Sequence, residues 1–456
     1  MNVHFDDDEI PNALQEPIVS LCVGLQRIFF LIQLGFIFLS EYALYLYYNN
    51  YSSFIDNLAH RLASLNILYV KLFQAFALNN NFIDDKTNNQ LLKFTDNAPW
   101  DYSDIDYDTL IDVGDEYNLI FVDGYDMPIN SGMISLVFKA YDRTTNKPVV
   151  VKIKRTNIAE RLEYAMDNLL FCVDLLSFIP LLKQYQLASA IHDSVDMILD
   201  QTDFNKEVQN MSTIKNNCVN LKYVKIPYVL SYVTNKHDNV IIMEFIDGIT
   251  INKVKREDYE EFAKQVIKFG MVTFSMHGVT HGDLHAGNVL FIKDDDDKEY
   301  PHKIGVLDFG IIYKVDTLYK DTFLEILTDF HVLPPKQICE KLFATGIIEP
   351  VETFNNLPKH HRDYMLEMSS KIMSEAIYGS KGANQIQIYK FLKELTDFLQ
   401  NQEISNLGLR PSEQFVKTQL SLAMSHGITL TLCKDDYLSV ADKVINELFH
   451  WDLIQE

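Results

Sequence analysis

Two short motifs at residues 281–288 and 307–310 constrain the fold of this chain more than any other part of its sequence. The first reads His-Gly-Asp-Leu-His-Ala-Gly-Asn and the second reads Leu-Asp-Phe-Gly. Apolar runs follow the first motif and precede the second, which predicts strands at residues 289–292 and 304–307. Such strands would bring three polar side chains together: Asp283, Asn288 and Asp308.

These three side chains have the chemistry and spacing that phosphoryl transfer needs in protein-kinase-like folds. Asp283 stands where a base accepts the proton of the incoming hydroxyl group, and we predict that it is catalytic. Asn288 and Asp308 carry the amide and carboxylate oxygens that Mg²⁺ prefers, and they are the predicted metal ligands. Phosphoryl transfer depends on positioning and charge neutralisation, so one base and two metal-binding groups are sufficient. The predicted cofactors are therefore ATP and Mg²⁺.

Composition excludes some partners. The chain has 456 residues, of which 47% are hydrophobic, so it can bury a large core. Its net charge of −23 argues against a nucleic-acid partner and against simple electrostatic adhesion to anionic lipid. Five cysteines without metal or disulfide spacing suit a reducing compartment: Cys22, Cys172, Cys218, Cys339 and Cys433. We therefore expect an intracellular protein, either cytoplasmic or membrane-associated.

The segment 18–48 is strongly apolar. The acidic residues 6–9 before it have the wrong sign for a presequence, so no secretory signal is predicted. Its longest uncharged stretch, residues 28–40, is short for a membrane-spanning helix and fits a buried or interfacial helix better. A spanning helix, a core helix and a peripheral membrane helix all stay open. A further helix is predicted over residues 53–78, where apolar residues recur at helical spacing.

From residue 117 the sequence pattern becomes strand-like. Segments 117–122, 134–140 and 148–154 are rich in Val, Ile, Phe and Tyr, as strands are. The loop between the first two lies where a phosphate-covering loop belongs. We predict that its residues bind the nucleotide: Ile129, Asn130, Ser131, Gly132, Met133, Ile134 and Ser135.

The third of these strands carries Lys152, the expected phosphate contact. A buried lysine needs an anionic partner, because an unpaired buried charge costs several kcal/mol. Glu207 is the candidate partner, and we predict that both residues are catalytic. The long interval between them predicts a helical insertion over residues 160–199. A later strand leads to Glu244 and Phe245, whose backbone is expected to flank the adenine.

The large lobe has helix boundaries that can be predicted. A helix over residues 258–277 should end at Gly278, and another should begin after Ser412 and stop at Gly427. The acidic residues 294–297 are predicted to form a solvated hairpin tip rather than a metal site. The predicted domains are a helical extension (1–110), a small lobe (111–246) and a mostly helical large lobe (247–456).

The order of these motifs resembles the UbiB-like atypical kinases (aarF-domain, ADCK-type), over residues 55–435. That family has a Lys-x-Gly-Gln helix, matched here by Lys-Leu-Phe-Gln at residues 71–74. Its Glu-x-Asp…Glu-x-x-Asn helix is matched by Gln-Thr-Asp at 201–203 with Glu207 and Asn210. The resemblance implies an α+β, two-lobed protein-kinase-like fold with a helical N-terminal extension. It also implies use of Mg-ATP and a link to lipid or isoprenoid-quinone metabolism.

The chain departs from that family at three places. Phe73 replaces the motif glycine, Gln201 replaces the first glutamate, and Asn-Ser-Gly-Met at 130–133 replaces an alanine-rich loop. In the family the motif helix folds over the active site, where two carboxylates hold its lysine. Only one of those carboxylates is present here, so the resemblance implies a looser latch. Its expected regulatory residues are Lys71, Gln74, Gln201 and Asp203.

Two other functions stay open. Small-molecule phosphotransferases of the aminoglycoside and choline kinase type share His-Gly-Asp-Leu-His, which Gly282 and Leu284 match. A nucleotide-binding pseudokinase scaffold would suit the irregular phosphate loop. The phosphoryl acceptor is open between a lipid, a small molecule and a protein, and hydrolysis of ATP alone is a further alternative. We expect His281 to pack beneath the Asp-Phe-Gly turn, and His285 either to contact phosphate or to make a structural hydrogen bond.

Overall fold

The computed structural model describes residues 12–66, 68–70, 98–177, 201–378, 385–434 and 436–449. The chain forms two compact units, Met1–Thr202 and Asp203–Glu456. Lys71, Phe73 and Gln74 lie outside the described residues, as does the part of the predicted insertion beyond residue 177. The predicted boundaries at residues 110 and 246 stay predictions.

The first unit begins with a helical hairpin. The described part of this unit contains the helices α1 (Asn12–Tyr48), α2 (Tyr51–Leu65), α3 (Tyr107–Glu116) and α4 (Ile158–Ser177). The predicted helix over 53–78 is interrupted: α2 ends at Leu65, residues 68–70 are helical again, and residues 71–78 lie outside the described residues. Asn66 there is extended, and its side chain accepts a hydrogen bond from the Leu68 N–H at 2.9 Å, which replaces a helical contact.

Four antiparallel strands complete the first unit: β1 (Leu119–Phe121), β2 (Asn130–Ser131), β3 (Ser135–Asp142) and β4 (Lys147–Lys154). β1 and β2 both pair with β3, which pairs with β4 on its other side. The β3–β4 turn forms because the Asp142 carboxylate accepts hydrogen bonds from the Thr144 N–H and the Thr145 hydroxyl, each at 2.7 Å. These bonds also lower the pKa of Asp142. The three strands predicted from composition are confirmed.

One apolar cluster joins the helical hairpin to the sheet. It contains Phe30 from α1, Leu58 from α2 and Leu162 from α4. Met133 and Ile134, at the tip of the β2–β3 hairpin, are buried in the same cluster. The N-terminal helices and the predicted phosphate loop therefore share one core.

The second unit is mostly helical. Its helices are α5 (Phe204–Asn217), α6 (Ser231–Lys236), α7 (Tyr259–Val272), α8 (Thr317–Asp329), α9 (Pro335–Ala344), α10 (Val351–Asn356), α11 (Lys359–Ala376), α12 (Ile388–Leu399), α13 (Gln402–Ser405), α14 (Glu413–Cys433) and α15 (Tyr437–Phe449). Aromatic and aliphatic side chains of α7 and α14 fill its core, including Phe262, Phe269 and Phe415.

Short strands of the second unit position the two motifs. They are β5 (Val224–Lys225), β6 (Val240–Glu244), β7 (Val279–His281), β8 (Val289–Lys293), β9 (His302–Val306), β10 (Ile312–Lys314), β11 (Ile348–Glu349), β12 (Ile377–Tyr378), β13 (Gln385–Ile386) and β14 (Arg410–Pro411). β8 and β9 form the predicted antiparallel hairpin, and β7 pairs antiparallel with β10. Lys303 holds Asp294 at 3.1 Å and Asp297 at 2.7 Å, so the acidic run is a hairpin tip as predicted.

The predicted helix boundaries of this unit are right in two cases and wrong in one. After α7 a single π-helical turn ends at Gly278, whose φ of +65° confirms the predicted left-handed cap. Ser412 caps α14 as predicted, accepting a hydrogen bond from the Phe415 N–H at 3.4 Å. Gly427, however, does not stop α14, which continues to Cys433. A helix interior tolerates glycine at a cost of about 1 kcal/mol, and buried neighbours such as Ile428 offset that cost.

Candidate active site

The β8–β9 hairpin brings the two motifs to adjacent strand ends. Val289 pairs with Val306 at the open end of the hairpin, and the Leu307 N–H donates to the Asn288 carbonyl at 2.8 Å. Asn288 precedes β8 and Asp308 follows β9, so these predicted metal ligands come from neighbouring chain segments. Both are partly exposed. The structure thus brings together the two motifs that the sequence predicted to form one site.

Asn288 has a defined orientation. Its amide nitrogen donates to the Asp283 carbonyl at 3.0 Å and lies 3.1 Å from His285 Nε2. Because the amide nitrogen is directed at the Asp283 carbonyl, the amide oxygen is left to face other ligands. His285 Nδ1 also lies 3.1 Å from the Gly287 N–H, and a neutral imidazole accepts at only one nitrogen at a time. The structural hydrogen bond expected of His285 is therefore present.

His281 links the loop to the Asp-Phe-Gly turn. Its Nδ1 accepts a hydrogen bond from the Asp283 N–H at 3.1 Å, so Nε2 carries the proton and donates to the Leu307 carbonyl at 3.1 Å. The ring packs against Phe309 with centroids 5.2 Å apart. Burial lowers the pKa of His281 and keeps it neutral, although the hydrogen bond to Leu307 and the nearby carboxylates oppose that effect. Its predicted packing beneath the turn is confirmed.

The Asp-Phe-Gly turn has an unusual backbone conformation. Asp308 adopts a φ of +55°, and its carboxylate accepts a hydrogen bond from the Gly310 N–H at 3.1 Å. Asn210 on α5 donates to the Phe309 carbonyl at 2.9 Å. A non-glycine residue in this conformation persists when its surroundings fix it, and such residues concentrate at functional sites. Asn210 is thus a positioning residue, noted from sequence only through the family resemblance.

Gly282 is required by close packing. A Cβ atom there would lie 2.4 Å from Ile311 Cγ2 and 3.1 Å from Tyr313 Cζ. The Gly282 N–H also donates to the Ile311 carbonyl at 2.9 Å. The loop glycine shared with small-molecule kinases therefore has a local structural cause in this chain.

Sequence analysis missed Tyr313, which lies near the predicted base. It is on β10, and burial raises its pKa to about 12, with the carboxylates of Asp283 and Glu413 adding to the effect. Lys417 lies 5.4 Å from the Tyr313 ring centroid. No motif marks this tyrosine in the sequence, because strand pairing alone places it beside the loop.

The predicted phosphate loop is a tight β2–β3 hairpin in the first unit. The Gly132 N–H donates to the Ser135 carbonyl at 2.8 Å. Ile129 and Asn130 are exposed, whereas Ser131, Met133, Ile134 and Ser135 are buried. Contacts of the buried residues with a nucleotide would therefore have to come from the backbone.

A buried ion pair that sequence analysis missed anchors this hairpin. The Arg155 guanidinium donates to the Gly132 carbonyl at 2.7 Å and to the Asp104 carboxylate at 2.7 Å. The Asp104 carboxylate also accepts a hydrogen bond from the Arg161 guanidinium at 2.6 Å. Burial lowers the pKa of Arg155, and Asp104 opposes this by favouring the charged form. Arg155 and Asp104 are 51 residues apart, so no local pattern reveals the pair.

The remaining predicted site residues lie at defined places in their own units. Lys152 is 7% exposed on β4, opposite Val137 of β3, and Glu207 is 1% exposed on α5. Asp203 caps α5 by accepting a hydrogen bond from the Lys206 N–H at 3.1 Å. Gln201 is half-buried at the end of the first unit.

Glu244 at the predicted hinge is engaged by its neighbours. Its N–H donates to the Tyr228 carbonyl at 2.8 Å, so an adenine contact through this residue would use the carbonyl oxygen. Its carboxylate receives Lys225 at 2.8 Å. Burial tends to raise the pKa of Glu244, but the bonds from Lys225 and the Tyr228 N–H outweigh it and lower the pKa. Phe245, the other predicted hinge residue, is half-buried after β6.

Comparisons with known proteins give a consistent family. The ABC1 atypical kinase-like domain matches residues 94–342. The chain is 24% identical over 261 residues to the probable serine/threonine-protein kinase abkB of Dictyostelium discoideum, covering 55% of this chain and 38% of that protein. It is 24% identical over 290 residues to the probable protein kinase UbiB of Shewanella frigidimarina, covering 60% of this chain and 52% of that protein. The chain thus spans about half or less of these relatives.

One solved structure is also similar, the complex of Rv3197 with erythromycin from Mycobacterium tuberculosis. The sequences are 17% identical, the TM-score is 0.46, and the alignment covers 82% of this chain and 90% of that one.

Proposed function

Because the chain belongs to the ABC1 atypical kinase-like family, whose fold is α+β and protein-kinase-like, we propose that it is an atypical kinase or ATPase that uses Mg-ATP for phosphoryl transfer. The observation that carries the proposal is the joined loop and turn of the second unit. Asn288 is oriented there by its hydrogen bond to the Asp283 carbonyl, and Asp308 is fixed in a left-handed conformation. This is the preorganisation that phosphoryl transfer requires.

We propose that Asp283 is the base or hydroxyl-positioning group and that Asn288 and Asp308 hold Mg²⁺. The donors fit the ion, because Mg²⁺ favours one or two protein carboxylate or amide oxygens together with phosphate oxygens. When bound, the ion would neutralise charge on the phosphates. His281 positions Asp283 through the Asp283 N–H, and Asn210 positions the turn that carries Asp308.

In the same proposal, Lys152 contacts the phosphates and Glu207 orients it, as their burial on a strand and a helix of a kinase-like chain suggests. Residues 129–135 cover the phosphates through backbone groups. Glu244 and Phe245 flank the adenine. The regulatory roles of Lys71, Gln74, Gln201 and Asp203 also stay proposals.

The acceptor class is proposed from similarity alone. The resemblance to the UbiB-like atypical kinases implies lipid or isoprenoid-quinone metabolism, and the apolar helix α1 is compatible with a peripheral membrane site. Stimulation of ATP turnover by neutral liposomes, but not by soluble alcohols such as choline, would support this class over the small-molecule phosphotransferases.

The proposal is tested by Mg²⁺-dependent ATP turnover of the purified full chain and its Asp308→Asn variant. We expect wild-type turnover that depends on Mg²⁺ and falls at least 100-fold in the variant, because one metal ligand and its charge are lost. Asp295→Asn, the same chemical change on the exposed hairpin tip, should retain full turnover. Mg-ATP binding that Asp308→Asn weakens, without any turnover, would instead assign a nucleotide-gated scaffold. Absence of both binding and turnover would overturn the proposal.

A further inference from the structure

Helix α1 exposes a broad apolar face. Between Gly24 and Tyr48 it is long and apolar enough to cross a membrane, but only 17% of its most apolar stretch is buried. Large apolar side chains on this face are between 39% and 72% exposed: Leu25, Ile28, Phe29, Ile32, Phe36, Phe38, Leu39, Leu44 and Leu46. A contiguous patch of this kind marks an interaction surface.

The two charged residues of this segment both turn toward the protein. The Glu41 carboxylate is buried and pairs with Arg61 of α2 at 2.8 Å. The Arg27 guanidinium lies over the Phe171 ring of α4, 5.3 Å from its centroid. From Leu25 to Tyr48, α1 itself therefore contributes no charge to the outward face. The Arg61 guanidinium of α2, paired with Glu41, lies 5.5 Å from the ring centroid of Phe36. Water would solvate the charges of Arg27 and Glu41 on an exposed face, whereas an apolar surrounding would not. Their orientation toward the protein therefore favours an apolar surrounding for this face.

The width of the face favours a bilayer over a second helix. At 100° per residue, its exposed apolar residues cover about two thirds of the helix circumference. Helix pairing needs only a narrow seam formed by two positions in seven. Leu25, Ile32, Leu39 and Leu46 lie at seven-residue spacing along one seam. Phe38 and Leu44 lie about 120° to either side of that seam, so they would stay in water beside a partner helix. A lipid surface covers the whole face at once.

The helices packed against α1 show how it would lie. α2 exposes Asn57, His60 and Ser64 along the second half of α1. α4 exposes Glu160, Glu163 and Asp167 beside its first half. If α1 crossed a bilayer, these polar side chains would enter hydrocarbon, which costs several kcal/mol for each charge. They can all stay in water only if α1 lies parallel to the membrane surface.

Tyrosines gather at the C-terminal end of the face. Tyr42, Tyr47, Tyr48 and Tyr51 are all exposed there. Tyrosine is enriched at the level of lipid headgroups, where its ring is in apolar surroundings and its hydroxyl reaches water. A net charge of −23 makes anionic lipid an unfavourable partner, so the surface should be uncharged overall.

We propose that α1 lies flat in the interface of a neutral lipid bilayer, with its apolar face immersed and with α2 and α4 on the water side. The inference deepens the membrane part of the proposed function. Its measurement uses no ATP, so failure of membrane binding and failure of phosphoryl transfer are separate results. Since Met133 and Ile134 of the predicted phosphate loop belong to the core that α1 helps to form, the bilayer would lie close to that loop.

The first experiment is flotation of the full chain with phosphatidylcholine vesicles. We expect co-flotation at both low and high salt, because burial of apolar surface is not screened by ions. Ile32→Asp with Phe36→Asp should reduce the bound fraction at least tenfold. Val332→Asp, at a position 68% exposed in the second unit, is the matched control and should bind as the wild type does. Circular dichroism would confirm that the double variant is folded.

The second experiment distinguishes a flat helix from a spanning one. In three separate variants, a single tryptophan replaces Leu25, Ile32 or Leu39. Quenching of its fluorescence by brominated lipids reports the depth of that residue in the bilayer, after the signal of the two native tryptophans is subtracted. A flat helix predicts equal depths at the three positions, whereas a spanning helix predicts a graded series. Graded depths would overturn the proposal. It would also fail if vesicles do not bind and the chain instead forms a dimer that Ile32→Asp with Phe36→Asp dissociates.

Discussion

The loop of residues 281–288 in the second unit and the β2–β3 hairpin of the first unit are stabilised in different ways, although the sequence predicts that both face the nucleotide. Side-chain hydrogen bonds to backbone groups hold the loop, through His281, Asn288 and Asn210. Apolar burial of Met133 and Ile134 holds the hairpin, together with the buried pair that Arg155 forms.

This difference explains why only one of the two regions has a recognisable motif. A hydrogen bond of fixed geometry needs a specific residue type at one position. The loop can therefore be recognised in the sequence as a motif. Apolar packing accepts many residues of suitable volume, so the hairpin needs no particular letters. The weak match of residues 130–133 to known phosphate loops therefore says little about whether the hairpin serves the same purpose.

The largest effect should follow removal of the buried charge under the hairpin. Arg155→Met leaves Asp104 buried with one of its two guanidinium partners, and breaking such a pair costs about 3–5 kcal/mol. Urea denaturation should show this loss, and the KM for ATP should rise as the hairpin loosens. Arg143→Met removes the same charge from an exposed position and should change neither quantity measurably. Equal stability of the two variants would contradict the anchoring role.

The next effect tests whether the tip of the hairpin is held by packing. Met133 is 5% exposed, so Met133→Ala should lower the free energy of unfolding by about 2–3 kcal/mol through lost burial and an unfilled cavity. Ile129→Ala, at a residue 47% exposed on the same hairpin, should cost much less. Urea denaturation of both variants measures the contrast. A similar loss in both would mean that the tip does not depend on the core it shares with α1 and α2.

Local signals in the sequence predicted the parts of the fold that local chemistry determines. The β8–β9 hairpin and the cap at Gly278 were both predicted, since apolar runs and glycine act within a few positions. The end of α2 was not, because the side chain of Asn66 breaks a helical pattern that continues beyond it. Gly427 was wrongly given as a stop, because packing around Ile428 outweighs glycine's weak helix preference.

The residues of the candidate site also separate into those that local sequence predicts and those that distant contacts bring in. Asp283, Asn288 and Asp308 were predicted from spacing, and the structure places their motifs side by side. Tyr313 and Arg155 were missed, since strand pairing and a long-range ion pair bring them in without any sequence pattern. Their roles depend on distant contacts that one sequence does not encode locally.

A smaller effect, of opposite sign in two variants, tests the close packing of the loop. Gly282→Ala would place a Cβ atom 2.4 Å from Ile311, and such overpacking costs about 1–3 kcal/mol. Gly427→Ala meets nothing within 4 Å inside α14, and it should gain about 0.5–1 kcal/mol from better helix propensity. Thermal unfolding of both variants measures the two signs. Stabilisation by Gly282→Ala would contradict the close packing of the loop against Ile311.

The smallest effect is a pH dependence that belongs to the loop and not to the hairpin. Burial lowers the pKa of His281 below the value of about 6.5 that it has in an unfolded chain. As the pH falls below about 6.5, the unfolded state takes up a proton that the folded state does not bind. Stability present above this pH is therefore lost on acidification, by at most about 1.4 kcal/mol per pH unit.

His281→Gln should flatten that part of the pH dependence, because glutamine does not titrate, whereas His360→Gln at an exposed position should leave it unchanged. Denaturation in urea between roughly pH 5.5 and 8, a range around the ordinary histidine pKa, measures the slope. An unchanged slope in His281→Gln would assign the acid sensitivity to other groups. Protonation of His281 in the folded chain would remove the acceptor for the Asp283 N–H, so wild-type turnover should fall only at a pH below the range in which stability begins to fall. A loop held by hydrogen bonds responds to pH in this way, whereas apolar packing does not.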